Sequence, residues 1–317
     1  MKHLIVVNPK SFAKRSEMTD AVRDIREYFD SVKGSDYFIY ISRYPRDAVS
    51  VIRKYVRETD KTVRVYSVGG DGILFDCLNG MAELENAELA VIPYGTTNDF
   101  VRAFGEGVSG VFRNIEKQAT AGTIATDLIN VGARHAINFC ATGIEAAVVL
   151  KYYEISRRHP ALVKRFGGFV YLASAPIAIM DKKIIEQEYE IIIDGERHRG
   201  RYAAINIANT PCYGGDKSAA PMACPTDGFL DVILTKSTSR PQLMRKITSY
   251  TKGRYYKYPK LFKHIRCKEI KIYSESPLYL NTDGEAYYDA HLEAKIVPNA
   301  VNIVAPDGLK YYLRREL

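Results

Sequence analysis

The chain has 317 residues, of which 46% are hydrophobic and 26% charged, an ordinary globular balance with material for two domains. Its 45 Lys and Arg against 37 Asp and Glu leave a formal charge of +8, which favours anionic partners such as nucleotide phosphates or acidic headgroups. The five cysteines (Cys77, Cys140, Cys212, Cys224, Cys267) contain no Cys-x-x-Cys pair, which argues against zinc and for a reducing, cytosolic compartment; no run is long and apolar enough for a signal peptide or a membrane span, so any membrane contact is expected to be peripheral, at the inner membrane face.

An apolar run at 3–7 predicts a buried strand that ends at Asn8-Pro9. Val22, Ile25, Phe29 and Val32 recur at helical spacing, and 37–41 reads as a second strand. Ala48, Val51, Ile52, Tyr55 and Val56 form the next helical stripe. A third strand at 63–68 is broken by Gly69-Gly70-Asp71-Gly72, after which Leu74, Cys77, Leu78 and Met81 share a helical face. A fourth strand at 89–92 stops at Pro93. Strands alternating with helices predict a parallel, three-layer α/β sheet.

The pattern changes near Ala121-Gly122. Strands are predicted at 124–131 and 135–141, helices at 144–155 and 161–180, and then strands at 188–193 and 202–208 around Asp194-Gly195. Further strands follow at 229–234, 269–273, 278–281, 291–297 and 301–304. This half reads as a mainly antiparallel β domain, a sandwich or barrel. The expected division is an α/β domain at 1–122 and a β-rich domain at 123–305.

Three polar loops follow predicted strands. In Ser67-Val68-Gly69-Gly70-Asp71-Gly72 the glycines allow a tight turn and close approach to a phosphate, and the following helix start attracts anions. It lacks the Gly-Lys-Ser/Thr ending of a Walker loop. In isolation the same letters describe a turn with Asp71 as helix cap. Pro93-Tyr94-Gly95-Thr96-Thr97-Asn98-Asp99-Phe100 and Asn8-Pro9-Lys10-Ser11 are each explicable alone as turn chemistry. Three such loops at the C-terminal ends of neighbouring parallel strands point to a ligand site, because that edge is where open α/β sheets bind.

In this order the three loops resemble the diacylglycerol kinase catalytic family, which includes bacterial lipid kinases and the sphingosine and ceramide kinases. The likeness continues through Asn138-Phe139 and Gly143-Ile144-Glu145-Ala146, Gly214-Gly215, Ala220-Pro221, Asp227-Gly228-Phe229-Leu230-Asp231-Val232 and Asp283-Gly284-Glu285. The resemblance implies a nucleotide domain similar to phosphofructokinase and NAD kinase, a second β-sandwich domain, and a tail at 306–317 that rejoins the first. It implies ATP and Mg2+ as cofactors and a lipid substrate at the membrane surface, with no nucleic acid; a homodimer is left open.

By the same resemblance Asn8, Pro9, Lys10, Ser11 and Ser42 line the nucleotide pocket, and Gly69, Gly70, Asp71, Gly72, Ile73 and Leu74 wrap the phosphates with Gly95, Thr96 and Asn98. Asp71 organises magnesium and phosphate, and Asp99 joins its polar network. Glu285 is the base that accepts the lipid hydroxyl proton. Asp-Gly-Glu occurs twice, and without the family context either copy reads as a hairpin tip; only its place near the C-terminus selects the second. Asp227, with the carbonyls of Cys224 and Phe229, is the implied site of a structural magnesium, against an ordinary Asp-Gly turn.

The chain departs from the family pattern at Ile73, where a threonine is usual, at Phe75-Asp76 in place of Asn-Glu, at Phe12 and at Asp216. Apolar residues between Ile144 and Met180 are either an acyl-chain cleft or core, and the basic, aromatic stretch 253–268 either a membrane contact or a solvated face. A binding protein without catalysis, or a kinase of another lipid alcohol or of NAD, are the competing readings.

Overall fold

The computed structural model describes residues 1–215 and 218–312, with side chains 163–169 and 172 outside that description. Asp216 and the end of the tail at 313–317 therefore lie outside the described residues.

The first unit runs β1 (Lys2–Val7), α1 (Arg15–Ser31), β2 (Tyr37–Ile41), α2 (Asp47–Arg57), β3 (Val63–Gly69), α3 (Asp71–Met81) and β4 (Ala87–Pro93). All four strands pair in parallel, in the order β2-β1-β3-β4. Their side chains alternate between two cores, as a sheet covered on both faces requires. Leu4, Val6, Val65, Leu89 and Val91 meet the stripe Ala48, Ile52, Val56 of α2 and the apolar α3 on one side. Ile5, Val7, Tyr66, Val68 and Ile92 meet Ile25 and Phe29 of α1 on the other. Each fully buried side chain of this size stabilises by about 1.5–3 kcal/mol. Three short helices, α4 (Asp99–Arg102), α5 (Ser109–Arg113) and α6 (Ile115–Thr120), occupy a stretch for which the sequence predicted no element.

The chain continues as β5 (Thr123–Val131), β6 (Arg134–Ala136), β7 (Phe139–Gly143), α7 (Ile144–Arg158), α8 (Pro160–Met180), α9 (Lys182–Ile185), β8 (Glu188–Ile193) and β9 (Glu196–Ala208). It ends with β10 (Leu230–Lys236), α10 (Arg240–Thr251), β11 (Phe262–Cys267), β12 (Glu269–Thr282) and β13 (Glu285–Val304). These strands pair antiparallel around a core that includes Ile191, Ile193, Ile205, Ile207, Val232, Leu234, Ile272 and Leu292.

The structure revises several sequence expectations. The strand expected at 135–141 is broken at Ile137-Asn138, whose amides turn to the Asp283 carboxylate instead of a ladder. The pairs 269–273 with 278–281, and 291–297 with 301–304, are single strands crossed by register shifts. The basic stretch 253–268 holds β11, and Tyr255 and Phe262 are buried there, so its aromatic side chains are in part core. Ile144, Ala147, Val148, Ala178 and Ile179 are core as well, while Leu162, Ile177 and Met180 are exposed.

The 20-residue β13 joins the two units. Its first part pairs with β12, and its end lies parallel to β4 at Asn302–Glu88 and Ile303–Leu89. Beyond it Tyr311 packs on Phe104, with ring centroids 4.4 Å apart, and the Tyr312 amide donates to the Ala103 carbonyl at 2.7 Å.

Candidate active site

Three loops leave the C-terminal edge of the parallel sheet. After β1 the Asn8 side chain accepts the Lys10 amide at 3.0 Å and holds Pro9–Ser11 as one tight turn. That turn aims Ser11 Oγ at the Gly70 amide, which donates to it at 3.1 Å. Lys10 points to solvent, and Ser42, after β2, is half-buried with its amide on the Val7 carbonyl.

The loops after β3 and β4 touch backbone to backbone. A methyl group on Gly95 would lie 2.3 Å from Gly70 Cα, so only glycine allows this approach. The Tyr94 and Gly95 amides both donate to the Gly69 carbonyl, at 2.7 and 3.0 Å. Asn98, at φ 49°, closes its own turn by accepting from the Gly95 amide and donating to its carbonyl. On Gly72 an added methyl would meet nothing within 4 Å, which marks the open side of the loop.

Ile73, Leu74 and Thr96 sit differently in the loop. The side chains of Ile73 and Leu74 are buried in the core, and the Leu74 amide donates to the Gly70 carbonyl. An isoleucine fits at 73 because it packs under the glycine loop, not over it. Thr96 is exposed at the loop tip; the hydroxyl that reaches Asp71 belongs to Thr97, which donates to Asp71 Oδ2 at 2.6 Å.

Asp71 Oδ1 accepts the Asp99 amide at 2.8 Å, and the Asp99 carboxylate accepts the Gly214 and Gly215 amides at 2.6 and 2.9 Å. Those glycines come from the second unit, so one carboxylate chain spans both. Burial pushes both carboxyls above the usual range, and the Asp71 charge raises Asp99 further. Asp71 and Asp99 are thus two linked carboxylates of this edge that could face a metal ion.

Facing this pair is the hairpin between β12 and β13. Asp283 and Gly284 take φ of 46° and 91°, the left-handed pair of a two-residue turn. Asp283 points inward and accepts the amides of Ile137, Asn138 and Phe139. Burial outweighs those three donors and pushes its carboxyl up to about 7, with the Asp71 charge adding to the rise. The next side chain, Glu285, is partly exposed and pairs through Oε2 with Arg46 Nη2 at 3.0 Å. Arg46 in turn holds Asp76 of α3, Nη1 to Oδ1 at 2.8 Å. Tyr153 of α7 donates to the Gly284 carbonyl at 2.9 Å.

The residues expected to hold a structural magnesium lie together just before β10. Asp227 pairs with Arg266 and accepts the Phe229 amide, so a guanidinium already neutralises the only carboxylate of that set. Among the described residues no three metal-ligating side chains gather. Asp127 also orders this corner, accepting the Gly228 and Asn299 amides, each at 2.8 Å.

Arg46, Asp76, Thr97 and Asp127 were not assigned roles from the sequence. Two of them carried a signal there, Thr97 in the polar loop after the fourth strand and Asp76 in the Phe75-Asp76 departure; Arg46 and Asp127 carried none.

Residues 2–135 match the family model of the diacylglycerol kinase catalytic domain, and residues 141–305 that of the YegS C-terminal NAD kinase beta sandwich-like domain. A diacylglycerol kinase of Bacillus subtilis (strain 168) is 26% identical over 224 residues, 70% of either chain. One of Staphylococcus aureus (strain JH9) is 25% identical over 311 residues, 96% of this chain and 92% of its own. The crystal structure of a diacylglycerol kinase from Bacillus anthracis str. Sterne shares the fold, with a TM-score of 0.69 at 22% identity and 98% of each chain covered.

Proposed function

The chain belongs to the family that joins a diacylglycerol kinase catalytic domain to a YegS C-terminal domain, and on that footing we propose that it uses ATP and magnesium to phosphorylate a lipid hydroxyl, with diacylglycerol as the acceptor. The observation that carries this reading is the meeting of the Glu285 hairpin with the glycine-loop side of the sheet through Arg46. Phosphoryl transfer needs positioning and charge neutralisation, and both are supported here.

The loops of Ser11, Gly70 and Gly95 line the triphosphate on the open side marked by Gly72. Magnesium, when bound with the nucleotide, neutralises phosphate charge, and Asp71 is the carboxylate nearest to that task. Glu285 accepts the proton of the attacking lipid hydroxyl as its oxygen bonds to the γ-phosphorus. The bond from that phosphorus to the bridging oxygen breaks, and ADP leaves. Among the described residues no helix is long and apolar enough to cross a membrane. The exposed Leu162, Ile177 and Met180 of α8, followed by Lys182 and Lys183, support an encounter with the lipid at a bilayer surface.

The test is incubation of the purified protein with magnesium, γ-labelled ATP and a total lipid extract. Label in phosphatidic acid is the expected result. Label in another lipid phosphate would move the acceptor; label in NADP alone, from added NAD, would overturn the reading.

A further inference from the structure

Two of the residues that depart from the family pattern, Phe75 and Asp76, sit together in space with a third residue the pattern does not explain, Arg46. The Arg46 guanidinium lies over the Phe75 ring, 4.2 Å from its centroid. Asp76 takes both its Nη1, at 2.8 Å, and its backbone amide, at 3.1 Å. The remaining arm, Nη2, reaches Glu285 Oε2 at 3.0 Å on the other unit. Arg46 stands at φ 71°, a left-handed conformation that a large L residue adopts only when its surroundings impose it. The ring, the carboxylate and the hairpin together impose it.

We propose that Arg46 is a positioning residue for the proton-accepting group: a clasp, anchored on α3 by Asp76 and Phe75, that holds the Glu285 hairpin against the nucleotide edge. The inference rests on the proposed function, since it supplies the orientation that the reading requires of Glu285. The pair uses Oε2, which leaves Oε1 for the acceptor hydroxyl. Asp76 is shorter than the usual glutamate by one methylene; here its role is to hold the guanidinium, and Phe75 fixes the plane in which that guanidinium lies. The departures at 75 and 76 are thereby one device, not two losses.

The backbone at 46 suits glycine, so Arg46→Gly removes the clasp while relieving strain, and the fold is kept. Arg46→Lys keeps the charge with one arm in place of two. Two measurements decide the matter. In lipid phosphorylation, Arg46→Gly is expected to lose kcat by about 10- to 100-fold with the KM for ATP within about twofold of wild type, and Arg46→Lys to recover part of it. In hydrogen exchange without substrate, the amides of 284–287 are expected to exchange faster in Arg46→Gly, while those of the twin hairpin at 194–196 keep their wild-type exchange. Wild-type kcat in Arg46→Gly, or an unchanged hairpin exchange, overturns the clasp. Should the wild type phosphorylate no lipid at all, the functional reading fails, and the hairpin exchange still decides the clasp by itself.

Discussion

Asp-Gly-Glu occurs at 194–196 and at 283–285, and the two copies fold alike. Asp194 and Asp283 share φ 46°, and Gly195 and Gly284 take 88° and 91°. In both, the aspartate carboxylate turns back to collect amides from a neighbouring strand: those of Lys268 and Glu269 for Asp194, and those of Ile137, Asn138 and Phe139 for Asp283. The difference begins with the glutamate. The Glu196 side chain is 84% exposed beside His198, whereas Glu285 is 38% exposed and paired with Arg46. The tripeptide dictates a turn. Its chemistry comes from what the rest of the chain places opposite the third residue.

The sharpest way to break this comparison is to neutralise each glutamate. Glu285→Gln is expected to lower kcat by about 10²- to 10⁴-fold in labelled-phosphate transfer. Glu196→Gln should stay within about twofold of wild type, as a solvated residue does. Equal losses would mean that the two hairpins are not distinguished by their surroundings.

The next contrast concerns stability. Asp283→Ala orphans three amides among buried residues and should cost about 3 kcal/mol or more in urea unfolding. Asp194→Ala frees its amides to water and should cost about 1 kcal/mol.

An effect of similar size is in pH. Burial raises the folded Asp283 carboxyl to about 7, so the folded state keeps a proton that the unfolded chain has released. Its contribution is whole below about pH 4, the range of a free aspartate, and is lost as pH rises to the folded value. The unfolding free energy should therefore fall between those limits by up to about 1.4 kcal/mol per pH unit. In Asp283→Asn this part of the slope should vanish.

The smallest effect belongs to a third Asp-Gly, at 227–228, where Gly228 takes φ 73°. Arg266 pairs with Asp227 near the surface, so Arg266→Met should shift stability by about 1 kcal/mol or less. Chelation should leave the melting temperature of the nucleotide-free protein unchanged.

Much of this was legible in the residues. The Val- and Ile-rich runs of β1, β3 and β4 can only be strands buried on both faces, and the loops after them could be read as ligand loops. The helices α4, α5 and α6 were not, because four to six residues are too few to establish a period. The break predicted inside β13 was a reasonable reading of Pro298-Asn299. There Asn299 does take φ 52°, but Asp127 holds its amide and the strand resumes. Least legible was the partner of Glu285. Arg46 drew no reading and Asp76 only that of a family departure, because their meeting with the hairpin depends on how the second unit docks, which no local pattern encodes.

The central claim is that both units close on one nucleotide, and ligand-dependent hydrogen exchange tests it most directly. With ATP and magnesium added, the account predicts slower exchange at 70–73 and also at 284–286, and no change at 194–196. Protection confined to the glycine loop, with the 284–286 hairpin as unaffected as its twin, would contradict it.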